Sequence, residues 1–273
     1  YENFPVASVL LPRRFRRAVV AVYRFARAAD DIADEGGDPP QARLAKLEHY
    51  ARELDAIGRG ETPRDPPFAE LAAAVHEHRL PLVPMHELLS AFSQDVSVTR
   101  YPTYDALADY CRRSANPVGR LLLALYDRDD DSNRAMSDAV CTGLQLANFW
   151  QDIAIDWDKG RVYVPREDLE RHRVTEAQIA NGVCDERWSR LMRFETGRAR
   201  ALLAAGRSLV GHLPWQAGIE LAAVIAGGAR ILERIDAVGG DVFAHRPTLG
   251  ARDWIVVAGR ALVPRRKRMA PAS

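Results

Sequence analysis

Two pairs of aspartates are the residues of this sequence whose type and spacing most clearly indicate chemistry. Asp30 and Asp34 end one strongly apolar segment, and Asp152 and Asp156 end another. A spacing of four residues places both members of a pair on the same face of a helix. Carboxylates on an apolar helix are costly to bury unless something pairs with them, and a divalent cation would do so.

Spacing alone does not select these two pairs, because the Asp-x-x-x-Asp pattern occurs elsewhere in the chain. Asp105 and Asp109 follow a proline in the first turn of a predicted helix, where acidic side chains suit the helix macrodipole. Asp127 and Asp131 lie in a run of charge that is typical of a solvated loop. The two pairs that end apolar helices are therefore the candidates for a shared site.

If the two candidate helices face each other, four carboxylates converge on one space, and without a cation that arrangement is repulsive. Mg²⁺ prefers oxygen ligands and commonly joins carboxylates to the phosphates of a substrate. The sequence has no cluster of histidine and cysteine that would indicate zinc. It therefore predicts a Mg²⁺ site that binds a phosphorylated substrate.

Cationic and hydroxyl side chains near the acidic pairs are candidates for contact with that phosphate. Arg27 lies three residues before Asp30, and Tyr23 lies one turn before Arg27. The planar guanidinium group of arginine matches the geometry of phosphate oxygens. Arg27 could instead only neutralise the acids. Arg161, which follows the second pair, could contact phosphate or only cap backbone carbonyls.

Helical periodicity of the apolar residues extends through the chain, with almost no alternation that would predict strands. We expect an all-α protein with a single domain, because no linker or change of composition divides it. The pair Asn116-Pro117 should interrupt one helix, since proline lacks the N–H that a helix needs. Thr175 and Gln178 form a predicted capping box. The predicted helices span 13–35, 41–57, 68–78, 84–95, 103–126, from the loop 127–131 to about 157, a short segment after 175, 185–210, 214–238 and 252–263.

Composition argues against several classes of function. The net charge of +1 gives no reason to expect nucleic acid as a partner. The three cysteines have no metal-binding spacing, which favours a reduced, cytoplasmic protein. No apolar run approaches the ~18 residues of a membrane-spanning helix. The basic run 264–268 could touch anionic lipid at the membrane surface or simply be a solvated chain end.

These motifs resemble those of the squalene and phytoene synthase family, the head-to-head class of trans-isoprenyl diphosphate synthases. The matching pieces occur in the family's order from residue 1 to about 245, so the resemblance covers almost the whole chain. They are the run 23–34, Tyr110-Cys111, Val118-Gly119, the run 145–148, Asp152, Asp156 and the Arg-x-Tyr-x-Pro sequence at 161–165.

The resemblance implies an isoprenoid-synthase-type helical bundle around a deep apolar cavity, with Mg²⁺ at its mouth holding the diphosphate of an isoprenoid substrate. By matching position, the implied metal ligands are Asp30, Asp34, Asn148, Asp152 and Asp156. The implied contacts to the diphosphate are Tyr23, Arg27 and Gln145. Tyr110 matches a tyrosine implicated in the chemistry, and Phe243 falls near an aromatic position of the cavity. Both could instead be ordinary core aromatics.

Departures from the family pattern bear on the reaction. Gln151 stands where the family commonly has an arginine just before the second aspartate motif, so this substrate contact has lost its charge. The stretch 114–119 replaces the more usual Val-Ala-Gly-x-Val-Gly, and Cys141 replaces a small glycine. With the opening residues 2–8, these changes resemble the hydroxysqualene synthase branch of bacterial hopanoid pathways.

That branch implies conversion of presqualene diphosphate to hydroxysqualene. Mg²⁺ and Arg27 would stabilise the leaving diphosphate, and water would capture the rearranged cation. Sister enzymes of the route would make the substrate and reduce the product. Asn116 is a candidate for placing the water, or else a backbone cap.

Two alternatives remain open at the level of sequence. The first is head-to-head condensation of two farnesyl or geranylgeranyl diphosphates to presqualene diphosphate, squalene or a phytoene-type product. The second, of a different class, is a non-catalytic helical partner that binds an isoprenoid diphosphate or a sister enzyme. Complete acidic motifs favour an enzyme over such a partner.

Overall fold

The structure, a computed structural model, describes residues 11–34, 37–63, 65–244 and 246–262. All regular structure in these ranges is helical, apart from one isolated bridge that pairs Arg100 with Val162. The predicted all-α class is confirmed. The opening residues 2–8 and the basic run 264–268, which entered the sequence predictions, lie outside the described residues.

Thirteen α-helices are labelled here in chain order over the described ranges, and a short 3₁₀ helix, Arg207–Gly211, lies between the eleventh and twelfth. Their bounds are α1 Arg13–Asp34, α2 Pro40–Gly58, α3 Pro66–His78, α4 Val83–Asp95, α5 Tyr104–Ser114, α6 Asn116–Leu125, α7 Asp131–Gln151, α8 Ile153–Asp158, α9 Arg166–His172, α10 Glu176–Ala180, α11 Glu186–Gly206, α12 Trp215–Ala237 and α13 Ala251–Leu262.

Local sequence signals account for many of the helix starts. Helices α2, α3, α4 and α6 carry proline in the first turn, where the missing N–H has no intrahelical partner to lose. The Thr103 hydroxyl accepts from the N–H of Ala106 at the start of α5. The predicted capping box of Thr175 and Gln178 starts α10 and is confirmed.

The structure divides three of the long predicted helices, one of them where the sequence predicted. The predicted interruption at Asn116-Pro117 is confirmed, because α5 ends at Ser114 and α6 begins at Asn116. The prediction of one helix continuing to about 157 is wrong, because α7 ends at Gln151 and α8 starts at Ile153. Between them the Asp152 backbone adopts φ −107° and ψ 12°. Similarly, the predicted helix 185–210 ends at Gly206 and continues as the 3₁₀ helix.

The buried side chains form two hydrophobic clusters that meet near the acidic motifs. The first cluster joins α1, α2, α3 and α4 with one face of α6, and its fully buried members include Phe25, Leu47, Leu54, Leu71 and Met85. The second joins α5, α7, α11 and α12, and includes Leu107, Leu146, Trp150, Trp188 and Leu232. Helix α1 therefore presents its aspartates from the first cluster, and the α7–α8 junction presents its own from the second.

Helix α7 is held close to its neighbours by small residues. A side chain at Gly206 of α11 would collide with the backbone carbonyl of Met136, and one at Gly143 would lie 3.1 Å from the Ala199 carbonyl. Such close backbone approach needs glycine. The contacts fix the position of α7, and with it the position of the second acidic pair.

Candidate active site

The first wall of the candidate site is the C-terminal end of α1. Arg27 donates to Asp30 at 3.3 Å and pairs with Asp31 at 2.8 Å, so it neutralises acids on its own helix. Burial, together with the charge of Asp34, raises the pKa of Asp30 to about 6. Arg24 points elsewhere and pairs with Glu70 of α3 at 2.7 Å.

The second wall is the break between α7 and α8. The break falls at Asp152, whose backbone N–H is shared between the carbonyls of Asn148, at 3.0 Å, and Phe149, at 3.3 Å. The buried carboxylate of Asp152 accepts from two nitrogens of Arg246, at 2.5 and 3.1 Å. Burial and the neighbouring Asp152 raise the pKa of Asp156 to about 7. In this wall Asp152 therefore has an arginine partner, whereas the charges of Arg161 and Lys159 only partly offset the effects that raise the pKa of Asp156.

The two walls are joined by Arg161. A turn places this residue: its N–H donates to the Asp156 carbonyl at 2.8 Å, and Gly160 before it has φ +77°. The guanidinium group donates to both carboxylate oxygens of Asp34, at 3.0 and 2.5 Å. The charge of Asp34 also contributes to the raised pKa of Asp156. Asp34 of the first wall and Asp156 of the second thus share one electrostatic environment, whereas convergence of all four carboxylates on one space stays a prediction.

A group of aromatic side chains adjoins the acids. The ring of Tyr163 stacks on Phe149 with a centroid distance of 3.8 Å and an interplanar angle of 8°. Tyr110 lies 6.0 Å from Tyr163, and Tyr101 lies 5.5 Å from Tyr110. All four rings are buried. We call Tyr101, Tyr110, Phe149 and Tyr163 the aromatic group.

Asp95, the last residue of α4, is an acid of this region that sequence reasoning missed. The Tyr110 hydroxyl donates to Asp95 Oδ2 at 2.9 Å, and the carboxyl is only 8% exposed. Burial raises its pKa to about 7, an effect that the nearby Asp34 and Asp30 reinforce and the Tyr110 hydroxyl and Arg161 oppose. The sequence held one signal, because a carboxylate at the C-terminal end of a helix opposes the macrodipole.

Arg246 is the second residue that sequence reasoning missed. It lies in the segment between α12 and α13 and belongs to no motif by spacing.

Gln151, predicted as a substrate contact, donates to the carbonyl of Pro247 at 2.5 Å. That bond secures the segment that carries Arg246, and a contact between Gln151 and substrate stays a prediction.

The remaining predicted residues are distributed around the site. Phe243 packs on Trp188 at a centroid distance of 4.7 Å, as a core aromatic would. The Asn116 Oδ1 accepts from the hydroxyl of Thr142 at 2.9 Å, so it binds a side chain of α7. Three others are half-buried on α1 and α7, and their roles stay predictions: Tyr23, Gln145 and Asn148.

The two walls fit Mg²⁺ by donor type and by charge. The predicted ligands offer carboxylate and amide oxygens, which this ion prefers. Burial, and next the charge of a neighbouring aspartate, raises the pKa values of Asp30 and Asp156, and a bound cation would favour their charged forms. Within the described residues, however, no three acidic, histidine or cysteine side chains form a preformed ion site. Binding of Mg²⁺ stays a prediction.

Two surface clefts lie away from these acids. One, of about 300 Å³, opens between α2 and α4 around Leu47 and His86. The other, of about 310 Å³, opens between α1 and α3 around Arg17 and Glu77. Neither is lined by the predicted site residues, so the deep apolar cavity beside the acidic walls stays a prediction. No helix of the described ranges is long and apolar enough to span a membrane.

Comparison with known proteins identifies relatives along nearly the whole chain. A family model described as squalene/phytoene synthase matches residues 1–253. A hydroxysqualene synthase from Rhodopseudomonas palustris is 35% identical over 86% of this chain and 79% of its own. A phytoene synthase from Arthrospira platensis is 30% identical over 90% of this chain and 83% of its own. The crystal structure of the squalene synthase HpnC from Alicyclobacillus acidocaldarius superposes with a TM-score of 0.82, at 39% identity, over 88% of this chain and 89% of that one.

Proposed function

This chain belongs to the squalene/phytoene synthase family, and from that premise we propose that it converts presqualene diphosphate to hydroxysqualene with release of diphosphate. The observation that supports this reaction is the similarity to hydroxysqualene synthases, and the ion pair between Arg161 and Asp34 supports a site built from residues of both walls. Family membership makes the chain an enzyme acting on isoprenoid diphosphates, and the choice of reaction is the proposal.

The walls would hold the diphosphate end of the substrate. Arg27 and Arg161 are the cations of the walls that can share their donors between the aspartates and phosphate oxygens. Mg²⁺, when bound, would neutralise charge on the leaving diphosphate. Its proposed ligands are Asp30, Asp34, Asn148, Asp152 and Asp156.

The aromatic group would receive the carbocation that remains after diphosphate leaves. The faces of aromatic rings attract cations, by about 2 kcal/mol or more where water is excluded. The stacked pair of Phe149 and Tyr163 and the nearby ring of Tyr110 are all buried, so they can also keep bulk water from the cation. Capture by one selected water would then give the alcohol.

Head-to-head condensation of two isoprenoid diphosphates is the alternative reaction, as in the phytoene synthase relative. The experiment incubates purified protein and Mg²⁺ with presqualene diphosphate or with farnesyl diphosphate, without NADPH, and identifies products by mass. We expect hydroxysqualene from presqualene diphosphate and no turnover of farnesyl diphosphate. Consumption of farnesyl diphosphate alone would select the alternative.

Variants of the acids test whether the two walls form the site. We expect Asp30→Ala and Asp152→Ala each to lose on the order of 10³-fold in turnover, because each removes preorganised charge beside the leaving group. Asp109→Ala is the matched control, since this half-exposed acid has the same sequence spacing but, among the described residues, forms ion pairs with Arg112 and Arg113 alone. Equal losses in all three variants, with folding retained, would contradict the assignment.

We also propose that any membrane contact is peripheral and made by α13. This helix exposes Trp254, Ile255 and Leu262, and the basic run 264–268 follows it in the sequence. Such a contact would suit an apolar product passed to a sister enzyme. We expect the wild type to sediment with anionic vesicles and Ile255→Glu to remain in the supernatant. Val83→Glu, at an exposed site of α4, should still sediment with them.

A further inference from the structure

The Asp95 carboxyl has one oxygen that nothing in the described protein satisfies. Its Oδ2 accepts the hydrogen bond from Tyr110, but its Oδ1 is buried and lacks a hydrogen-bond partner among the described residues. A buried acceptor without a donor costs about 1–3 kcal/mol, and more when the group is charged. The site therefore offers a strong acceptor for a small donor molecule such as water.

The surroundings place this oxygen at the reacting end of the proposed site. The rings of Tyr101, Tyr110 and Tyr163 lie near the carboxyl. Its negative charge contributes to the raised pKa values of Tyr101 and Tyr163. The charges of Asp34 and Arg161 in turn act on Asp95. Asp95 thus contacts the aromatic group, which would receive the cation, through Tyr110, and lies within electrostatic range of charged residues of both walls, which would hold the diphosphate.

Asp30 and Asp156 are assigned to Mg²⁺ in the proposed function, and the other polar groups nearby are already engaged or are poor bases. The Arg161 guanidinium binds both oxygens of Asp34. The Asn116 Oδ1, the earlier candidate for placing water, accepts from Thr142, and an amide does not take up a proton at neutral pH. The Ser114 hydroxyl is buried without a partner, but a hydroxyl is likewise a weak base.

We propose that Asp95 is the catalytic base that holds the capturing water and accepts its proton, an assignment that rests on the proposed conversion to hydroxysqualene. The C–O bond to diphosphate breaks and its electron pair leaves with the diphosphate. The water oxygen then forms a bond to the cationic carbon while one water proton passes to Asp95 Oδ1. The products are a neutral alcohol and a protonated carboxyl, which returns its proton to solvent before the next turnover.

The raised pKa of about 7 supports this role without carrying it. A base whose pKa lies near the working pH can be ionised before the reaction and still hold the proton afterwards. The hydrogen bond from Tyr110 fixes the carboxyl so that Oδ1, and not Oδ2, is left for water.

The test measures two quantities for each variant with presqualene diphosphate and Mg²⁺: the rate of diphosphate release, and the fraction of product that is alcohol. Asp95→Asn keeps the shape and an acceptor for Tyr110 but cannot take up the proton. We expect its diphosphate release to stay within about threefold of wild type, because ionisation precedes capture. We expect its alcohol fraction to fall at least tenfold in favour of hydrocarbons.

Two further variants guard against a purely structural effect. Asp95→Glu restores a carboxylate, and we expect it to recover part of the alcohol fraction lost in Asp95→Asn. Glu195→Gln changes a different buried acid, outside the candidate site, and should leave the alcohol fraction unchanged.

The outcomes separate this inference from the proposed function. An unchanged alcohol fraction in Asp95→Asn overturns the assignment of the base, as does an equal loss of diphosphate release and alcohol, since a base for water acts only after ionisation. A wild-type enzyme that makes no alcohol from presqualene diphosphate overturns the proposed function instead, and the base assignment falls with it.

Discussion

Buried carboxyl groups form two polar clusters in different parts of this protein. One is Asp95 with Tyr110, between α4 and α5. The other is Asp168 of α9 with Glu195 of α11, held together by Arg198. Burial raises the pKa of Asp95 to about 7 and that of Glu195 to about 8. Each cluster also contains a buried oxygen without a hydrogen-bond partner among the described residues.

The clusters differ in their counter-charge. Arg198 donates to Asp168 at 2.9 Å and to Glu195 at 2.8 Å, and its guanidinium group lies 3.9 Å from the centre of the Tyr104 ring. Asp95 receives only a neutral phenol. Arg198 is committed to the two acids of its own cluster, whereas Asp95, with a phenol as its only hydrogen-bond donor among the described residues, keeps an oxygen that can accept a ligand. Perturbed pKa values alone would not have separated the two.

Removing the cation of the second cluster should have the largest effect on stability. We expect Arg198→Met to lower the free energy of unfolding by about 3–5 kcal/mol, because the buried Asp168 would keep only the more distant, exposed Arg171 as its cation and Glu195 would lose a hydrogen-bond donor. Urea unfolding followed by circular dichroism measures the change. Arg200→Met is the control, since the half-exposed pair of Arg200 with Asp236 is expected to contribute only about 1 kcal/mol or less. Similar losses in both variants would contradict the committed role of Arg198.

The pH dependence of stability tests the same cluster from the side of the acid. The folded state holds the Glu195 proton up to about pH 8, while the unfolded chain releases it near 4.5. Wild-type stability should therefore fall as pH rises through this window, by about 3–4 kcal/mol between pH 5 and pH 8. Glu195→Gln lacks the titrating group, so its unfolding free energy should change less between pH 5 and pH 8. Parallel pH profiles for the two proteins would refute this.

A neutral buried pair provides the intermediate case. Thr142→Val removes the hydroxyl that donates to Asn116 while keeping the size of the side chain. We expect a loss of about 1 kcal/mol in unfolding free energy, because one amide oxygen loses its donor without any uncompensated charge. Denaturant titration measures it, and a loss as large as that in Arg198→Met would show that charge is not what distinguishes the clusters.

The smallest effect on stability is expected at Asp95. At pH 8 its carboxyl is mostly ionised in the folded state, and the folded protein bears the cost of burying that charge. Asp95→Asn removes the charge and keeps an acceptor for Tyr110, so the unfolding free energy should stay within about 1 kcal/mol of wild type or rise slightly. A loss above ~2 kcal/mol in the same titration would make Asp95 a structural residue and erase the contrast with Arg198.

The sequence predicted the features that depend on local patterns. Apolar periodicity and proline positions located nearly all helices, and the place of Asp30 and Asp34 at the end of an apolar helix singled them out as candidates. The partner of the Asp152 carboxylate was not predictable in this way, because Arg246 lies 94 residues further along the chain. The same holds for Gln151, whose partner Pro247 is 96 residues away.

Asp95 was missed for a related reason. Nothing in its immediate sequence distinguishes it from an ordinary polar residue that ends a helix, apart from its unfavourable place in the macrodipole. Its environment arises only when α5 brings Tyr110 back against α4 and the segment after α8 adds Tyr163. Spatial neighbours of this kind, contributed by separate elements, are outside the reach of motif spacing.

The tight fit of α7 limits how the length of this chain can change during evolution. Gly143 and Gly206 leave no space for the helix to rotate or slide against α11. Inserting one residue between Gly143 and Asn148 would turn every later side chain by about 100°. Asn148 and the residues after it would then leave their present face of α7. Insertions and deletions should therefore be tolerated in connecting loops such as 127–130 and be lethal to activity within this helix.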